Sequence, residues 1–114
     1  MVSSLYSGAS AMQSYQTATD VTANNIANIN TGGYTAKSTV LAETKPAGVK
    51  VAAIQDTPPH VRSAADSAIA RKQSNVDLAT EKVDEITSFR AYQANAKPVQ
   101  TVDDMLGTVI NMKA

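Results

Sequence analysis

The sequence predicts a mainly α fold in which long N- and C-terminal helices pack against each other, with a short β-hairpin inserted between them. Three observations carry it. A heptad-like ladder opens the chain, a longer apolar ladder closes it, and a turn containing Pro and Gly separates two β-rich runs in the middle. At 114 residues the chain has room for one core and not two, so these elements belong to a single unit. Apolar residues make up 43% of it, but Ala and Val dominate and the aromatics are one Phe and four Tyr, so the core is thin. The expected division is 1–36 and 73–114 for the terminal-helix part and 37–72 for the insertion.

The first helix is read from Val2, Leu5, Ala9, Met12, Gln16, Thr19, Ala23 and Ile26, whose spacings alternate between three and four. Gln16 and Thr19 weaken the middle of this seam, and Gly8 costs a helix about 1 kcal/mol relative to Ala. From Val2 to Asn30 the only charge is Asp20, and the flanks are Ser, Thr, Asn, Gln and Ala. Solvated helix surfaces normally carry Lys and Glu, so small neutral flanks suit a helix covered by other protein. The helix ends near Asn28 to Asn30, because Asn tolerates the left-handed conformation and Thr31, Gly32 and Gly33 form a turn cluster.

Between Lys37 and Gln55 the runs KSTVLAE and VKVAAIQ flank the turn TKPAG, the pattern of a hairpin. A loop follows around Pro58 and Pro59, and Ser63 with Asp66 forms a weak capping box for a short helix, though AIARKQS fits an extended run equally well. Ser74 or Asn75 is the expected cap of the second long helix, and Asp77, Glu81, Asp84 and Glu85 crowd its first turns, where the helix dipole favours acids. Its ladder runs Val76, Ala79, Val83 and Ile86, slips by one, and resumes at Phe89, Tyr92, Ala96, Val99, Asp103, Leu106 and Ile110. About 37 residues at 1.5 Å each give roughly 55 Å, which implies an elongated molecule. Pro98 lies inside this stretch and is expected to bend the helix without ending it.

Composition argues against chemistry. Ten basic and ten acidic side chains cancel, so nothing steers the chain toward nucleic acid or an anionic membrane, and no stretch approaches a membrane span. There is no cysteine, which removes disulfides, thiolate metal sites and a thiol nucleophile. His60 is the only histidine and has no second His or Cys with which to build a metal site. Asp103 and Asp104 are adjacent, so on a helix they diverge by about 100° and do not face one another as an acid–base pair. The acids from Asp77 to Glu85 lack the glycine-centred spacing of a calcium loop. Gly32 and Gly33 sit in no phosphate-binding frame, and Phe89, Tyr92 and Met105 read as packing residues. The expectation is a protein that is not an enzyme and takes no cofactor, metal or small-molecule substrate. The opening MVSSLYSGASAMQSYQ has neither a basic start nor a continuous apolar run, so no cleaved secretory signal is expected.

Two segments carry a resemblance. ANNIANINTGGY (residues 23–34) resembles the N-terminal signature of the bacterial flagellar rod and hook axial proteins, and SNVDLATEKVDEITSFRAYQANAKPVQTVDDMLGT (residues 74–108) resembles their C-terminal signature. Asn24, Asn25, Asn28 and Thr31 match the first, and Asn75, Asp77, Leu78, Arg90, Tyr92, Asn95 and Ala96 match the second. Gly32 stands where that family usually has Pro, and Pro98 where it usually has an aliphatic residue. The resemblance implies a subunit whose long N- and C-terminal helices form an antiparallel coiled coil and stack helically into the axial structure, nearest the short proximal-rod type. It implies as partners copies of itself, other axial proteins and the flagellar type III export apparatus, with export to the periplasmic rod without signal cleavage. Its implied assembly and helix-packing residues are those matched positions together with the ladder members Leu5, Ala9, Met12, Ile26, Val76, Val83, Ile86, Phe89, Val99, Leu106 and Ile110. The competing expectation, from another class, is a soluble adaptor or chaperone-like module that mimics the axial coiled coil and binds rod proteins.

Overall fold

A computed structural model describes residues 2–58 and 73–113. The order is α1 (Val2–Ala27), β1 (Lys37–Glu43), β2 (Val49–Asp56) and α2 (Leu78–Lys113). The predicted architecture of two long terminal helices around an antiparallel two-stranded hairpin is the one observed. The loop at Pro58 and Pro59, His60 and the weak capping box at Ser63 and Asp66 fall wholly or largely outside the described residues.

Helix α1 ends at Ala27, and the turn that follows is closed by the Thr31 amide donating to the Asn28 carbonyl (3.0 Å) and Gly33 at φ 75°. A side chain rarely adopts that φ, which explains a glycine there. In the hairpin, Lys37 pairs with Asp56 and Glu43 with Val49, and the register shifts between Val40 and Leu41. That shift is a bulge, the usual source of added twist in a short antiparallel pair. The connecting loop closes on a Thr44 amide bond to the Gly48 carbonyl (2.9 Å).

At the start of α2, the N-cap is Asp77 and not Ser74 or Asn75. Its carboxylate accepts the Ala79 amide (2.9 Å) and its carbonyl accepts the first helical bond, from Glu81 (3.0 Å). Asn75 is unavailable for capping because its amide is used elsewhere, as described below. The helix runs unbroken through Pro98 to Lys113. Proline has no N–H to give the carbonyl one turn earlier, so the Ala94 carbonyl loses its helical partner, yet the helix does not end there.

The two helices are antiparallel. Asn25 near the end of α1 bonds Glu81 near the start of α2, while Gly8 lies against Asn95 and Val99. The molecule is accordingly long and thin, 73 × 25 × 16 Å.

The packing differs from the simplest reading of the ladder. The buried face of α1 is Gly8, Ala11, Ser14, Ala18, Thr22 and Asn25. Leu5, Met12 and Ile26 flank it half-buried, and Ala9, Gln16 and Ala23 are exposed. Two partners on adjacent sides of α1 explain the rotation. On one side α2 approaches so closely that a methyl group on Gly8 would lie 2.8 Å from Val99 Cγ2 and 3.2 Å from the Asn95 carbonyl. On the other the hairpin docks. Ser10 Oγ accepts the Val49 amide (3.2 Å), and Ser14 Oγ lies within bonding distance of the carbonyls of both Ser10 (2.9 Å) and Val49 (3.0 Å). Gly48, at φ 121°, sits directly on Ser10, where a side chain would meet the hydroxyl. The small neutral flanks of α1 are therefore covered, in part, by the chain's own hairpin.

Gly8 yields a test. Gly8→Ala gains about 1 kcal/mol of helix propensity, but overpacking against a β-branched side chain with little rotamer freedom costs about 1–3 kcal/mol. We expect net destabilisation in thermal unfolding followed by circular dichroism, reversed when Val99→Ala is added. Stabilisation by Gly8→Ala alone would contradict the close approach.

Candidate assembly interface

Of the asparagines in the first motif, Asn25 is at the structural centre. It is 1% exposed. Its Nδ2 donates to the Lys37 carbonyl (2.7 Å) and to Glu81 Oε1 (2.9 Å), and its Oδ1 accepts from the Lys37 amide (2.9 Å) and the Tyr34 hydroxyl (3.0 Å). An asparagine side chain has two donor hydrogens and two acceptor lone pairs, and all four are used. One residue of α1 thus fixes the turn, the first residue of β1 and the first turn of α2. Asn24, Asn28 and Thr31 form a separate surface chain of bonds that shapes the turn. Asn28 Nδ2 donates to Asn24 Oδ1 (2.8 Å), and Thr31 Oγ1 donates to Asn28 Oδ1 (3.0 Å).

Asn75 of the second motif does the matching job at the open end of the hairpin. Its Oδ1 accepts the Ala36 amide (2.6 Å) and its Nδ2 donates to the Thr57 carbonyl (2.6 Å), while Thr57 N–H donates to the Ala36 carbonyl (2.7 Å). The side chain clamps the residues that precede β1 and follow β2.

Glu81 is the one buried carboxylate among the described residues. Burial raises its carboxyl above the usual value; the Asn25 hydrogen bond opposes this, and the charges of Asp84 and Asp77 add to it.

The α2 residues that lose solvent are Glu81, Glu85, Ser88, Ala91, Asn95, Val99 and Val102, at spacings of three and four, with Ala96 beside them. This seam is polar toward its N-terminal end and apolar toward Val99 and Val102. Of the other matched and ladder residues, Val76 is half-buried ahead of the helix. Leu78, Val83, Ile86, Phe89, Arg90 and Tyr92 lie on exposed parts of α2, as do Leu106 and Ile110. Val83 (61% exposed), Ile86 (54%) and Phe89 (56%) are thus apolar side chains that meet no partner helix among the described residues. Ile86 and Phe89 line a shallow depression with Arg90, Gln93, Ala94 and Lys97. Sequence reasoning missed Glu81 and the Ser10–Ser14 pair. The signal for the serines was present as a Ser-x-x-x-Ser spacing, one helical turn.

Among the described residues no group of three His, Asp or Glu side chains is placed to hold a metal, and no helix is long and apolar enough to cross a membrane.

The Asn25–Glu81 bond makes two predictions. Asn25→Ala strands part-buried backbone groups of Lys37 and the buried Glu81 carboxylate and should cost about 2–4 kcal/mol, read from chemical or thermal unfolding; a loss within experimental error would remove Asn25 from its central position. A carboxyl whose folded pKa is raised binds more protons folded than unfolded. Its contribution is therefore full below the unfolded value, 4.5, and is lost as pH rises through the raised folded value. Stability should fall across that mildly acid range, and Glu81→Gln, which keeps an acceptor for Asn25, should flatten the profile.

Two family models match the chain: one described as flagella basal body rod protein over residues 5–35, and one described as flagellar basal body rod FlgEFG protein C-terminal over residues 71–112. The flagellar basal-body rod protein FlgG of Borreliella burgdorferi is 48% identical over 42 residues, which are 37% of this chain and 16% of that protein. The flagellar hook protein FlgE of Escherichia coli K12 is 43% identical over 44 residues, which are 39% of this chain and 11% of that protein. The similarity thus spans a small share of each relative's length.

Proposed function

Because the chain belongs to the flagellar basal-body rod and hook protein family, with its two matched segments forming most of its length, we propose that it is a structural subunit of the basal-body rod that self-assembles through its terminal helices. The observation that carries this reading is the pairing of the two matched segments. They fold into one antiparallel helix pair tied by Asn25 and Glu81, while apolar side chains at Val83, Ile86 and Phe89 remain uncovered. A folded unit with a polar internal seam and an apolar outer face is suited to burial among neighbours. The hairpin docks on the flank of α1, as a short insertion of the proximal-rod kind would. Leu5, Met12, Ile26 and the exposed ladder residues of α2 serve packing and registration between subunits, not catalysis.

The partners in this reading are copies of the chain and other flagellar axial proteins. In this reading the flagellar type III apparatus exports the chain to the periplasmic rod. The test is to look for the protein in purified basal bodies and to delete its gene. Deletion should leave incomplete rods and non-motile cells. Motile cells with complete flagella, in a strain whose basal bodies never contain the protein, would overturn the proposal.

A further inference from the structure

The hairpin and α2 both pack on α1 but stand apart from each other. No Cα of β1 or β2 lies within 8 Å of one in α2. Between them runs a trough of about 610 Å³, with β1 on one side, α2 on the other, and Ala18 and Thr22 of α1 on its floor.

The β1 side of the trough is an open strand edge. In an antiparallel pair the backbone groups of successive residues point alternately toward the partner strand and away from it. The Ala36 carbonyl accepts from the Thr57 amide, on the β2 side, whereas Lys37 bonds Asn25 through both its backbone groups, on the other. The alternation continues along β1, because the register shift leaves the extra residue, Ala52, on β2. Thr39 and Leu41 therefore turn N–H and C=O away from β2, on the edge that lines the trough, and these groups have no partner among the described residues. At Lys37 the Asn25 amide already does what a neighbouring strand would do, giving one hydrogen and taking one.

The α2 side carries a matching row. Thr80, Asp84 and Ser88 line the trough at intervals of four residues, and none of their side chains makes a hydrogen bond among the described residues. Four residues of helix rise about 6 Å, and two residues of strand advance about 6.6 Å. Side-chain oxygens on α2 thus recur at nearly the interval of the N–H groups along one edge of an extended chain. This wall is also acidic. Asp77 and Glu81 line it with Asp84, and Asp84 belongs to neither ion pair among the described residues, Lys37–Asp56 or Lys82–Glu85.

We infer that the trough receives an extended, positively charged segment of a partner protein, which adds to β1 as a third strand. Main-chain bonds to Thr39 and Leu41 set its register, the mode by which open sheet edges take up peptides. Thr80, Asp84 and Ser88 accept from its far edge, and its basic side chains meet the carboxylates. The short side chains of Ala18 and Thr22 leave depth for its inward-facing apolar groups. The inference goes beyond the axial-subunit reading and does not depend on it.

The probe is the blocked heptapeptide KVKAKVK, titrated into the full isotope-labelled chain and followed by amide NMR. Binding should slow hydrogen exchange at Thr39 and Leu41 severalfold, with little change at Ser38 and Val40, which face β2. The acidic peptide EVEAEVE should bind severalfold more weakly, and Asp84→Lys should shrink that difference. KVKAKVK methylated on every second backbone nitrogen keeps its charge but loses the N–H groups of one edge, and should bind severalfold more weakly too. Thr39→Pro removes an N–H that the hairpin does not use, at an edge position where proline is tolerated, and should abolish the protection at Leu41. Equal binding of the methylated peptide would mean charge attraction alone and overturns the inference. Slow exchange at Thr39 and Leu41 in the free chain overturns it as well, since the edge is then already covered, by residues 59–72 if the protection survives dilution and by a second copy if it does not.

Discussion

The fold depends on one saturated amide. Asn25 spends both donors and both acceptors on the turn, the start of β1 and the first turn of α2. A buried amide is costly unless every capacity is met, and here the partners are two backbone groups of one residue and side chains from two other elements. That arrangement has few alternatives in register, since shifting α2 by a turn or β1 by a residue would leave polar groups buried and unpaired. The fold's specificity is concentrated in a polar knot, while the buried apolar core among the described residues is Ala11, Ala18, Ala36 and Val102.

A thin core and a small-residue seam belong together. Close helix approach at Gly8 and hairpin docking at Ser10 and Ser14 both require short side chains, and short side chains bury little area. The larger apolar groups are left to the outside of α2. What looks like poor economy in a single chain becomes consistent in an assembly, where the outer face meets neighbours and the inner face only has to hold the two helices in register.

The elements themselves were largely legible from the sequence. Long ladders, a Thr-Gly-Gly cluster and two β-rich runs around a turn have few other interpretations, and the helix continued through Pro98 because enough apolar spacing lay beyond it. The faces were not legible. On α1 the ladder from Leu5 to Ile26 and the small-residue stripe from Gly8 to Asn25 lie side by side, and periodicity alone cannot say which one a partner covers. The answer came from a second partner, the hairpin, which rotates the seam. On α2 the acids of the first turns looked like dipole complements, and Asp77 is one in the strict sense of a cap. Glu81 instead turned inward, because Asn25 offered it a donor. Motif membership pointed to Asn25 and Asn75 but not to what each one bonds.

The bonds that hold α1 differ widely in how much chain they enclose. Those to the hairpin and the first strand span 12 to 39 residues, as from Asn25 to Lys37 and from Ser10 to Val49, whereas the Asn25–Glu81 bond spans 56. Loop-closure entropy grows with the enclosed length, so α1 and the hairpin form the locally closed unit and α2 is the element added across the longest loop. The half that needs only nearby partners closes at lower entropic cost than the half that carries the outward-facing apolar surface. Stickiness therefore comes last, when there is already something ordered for α2 to lie against.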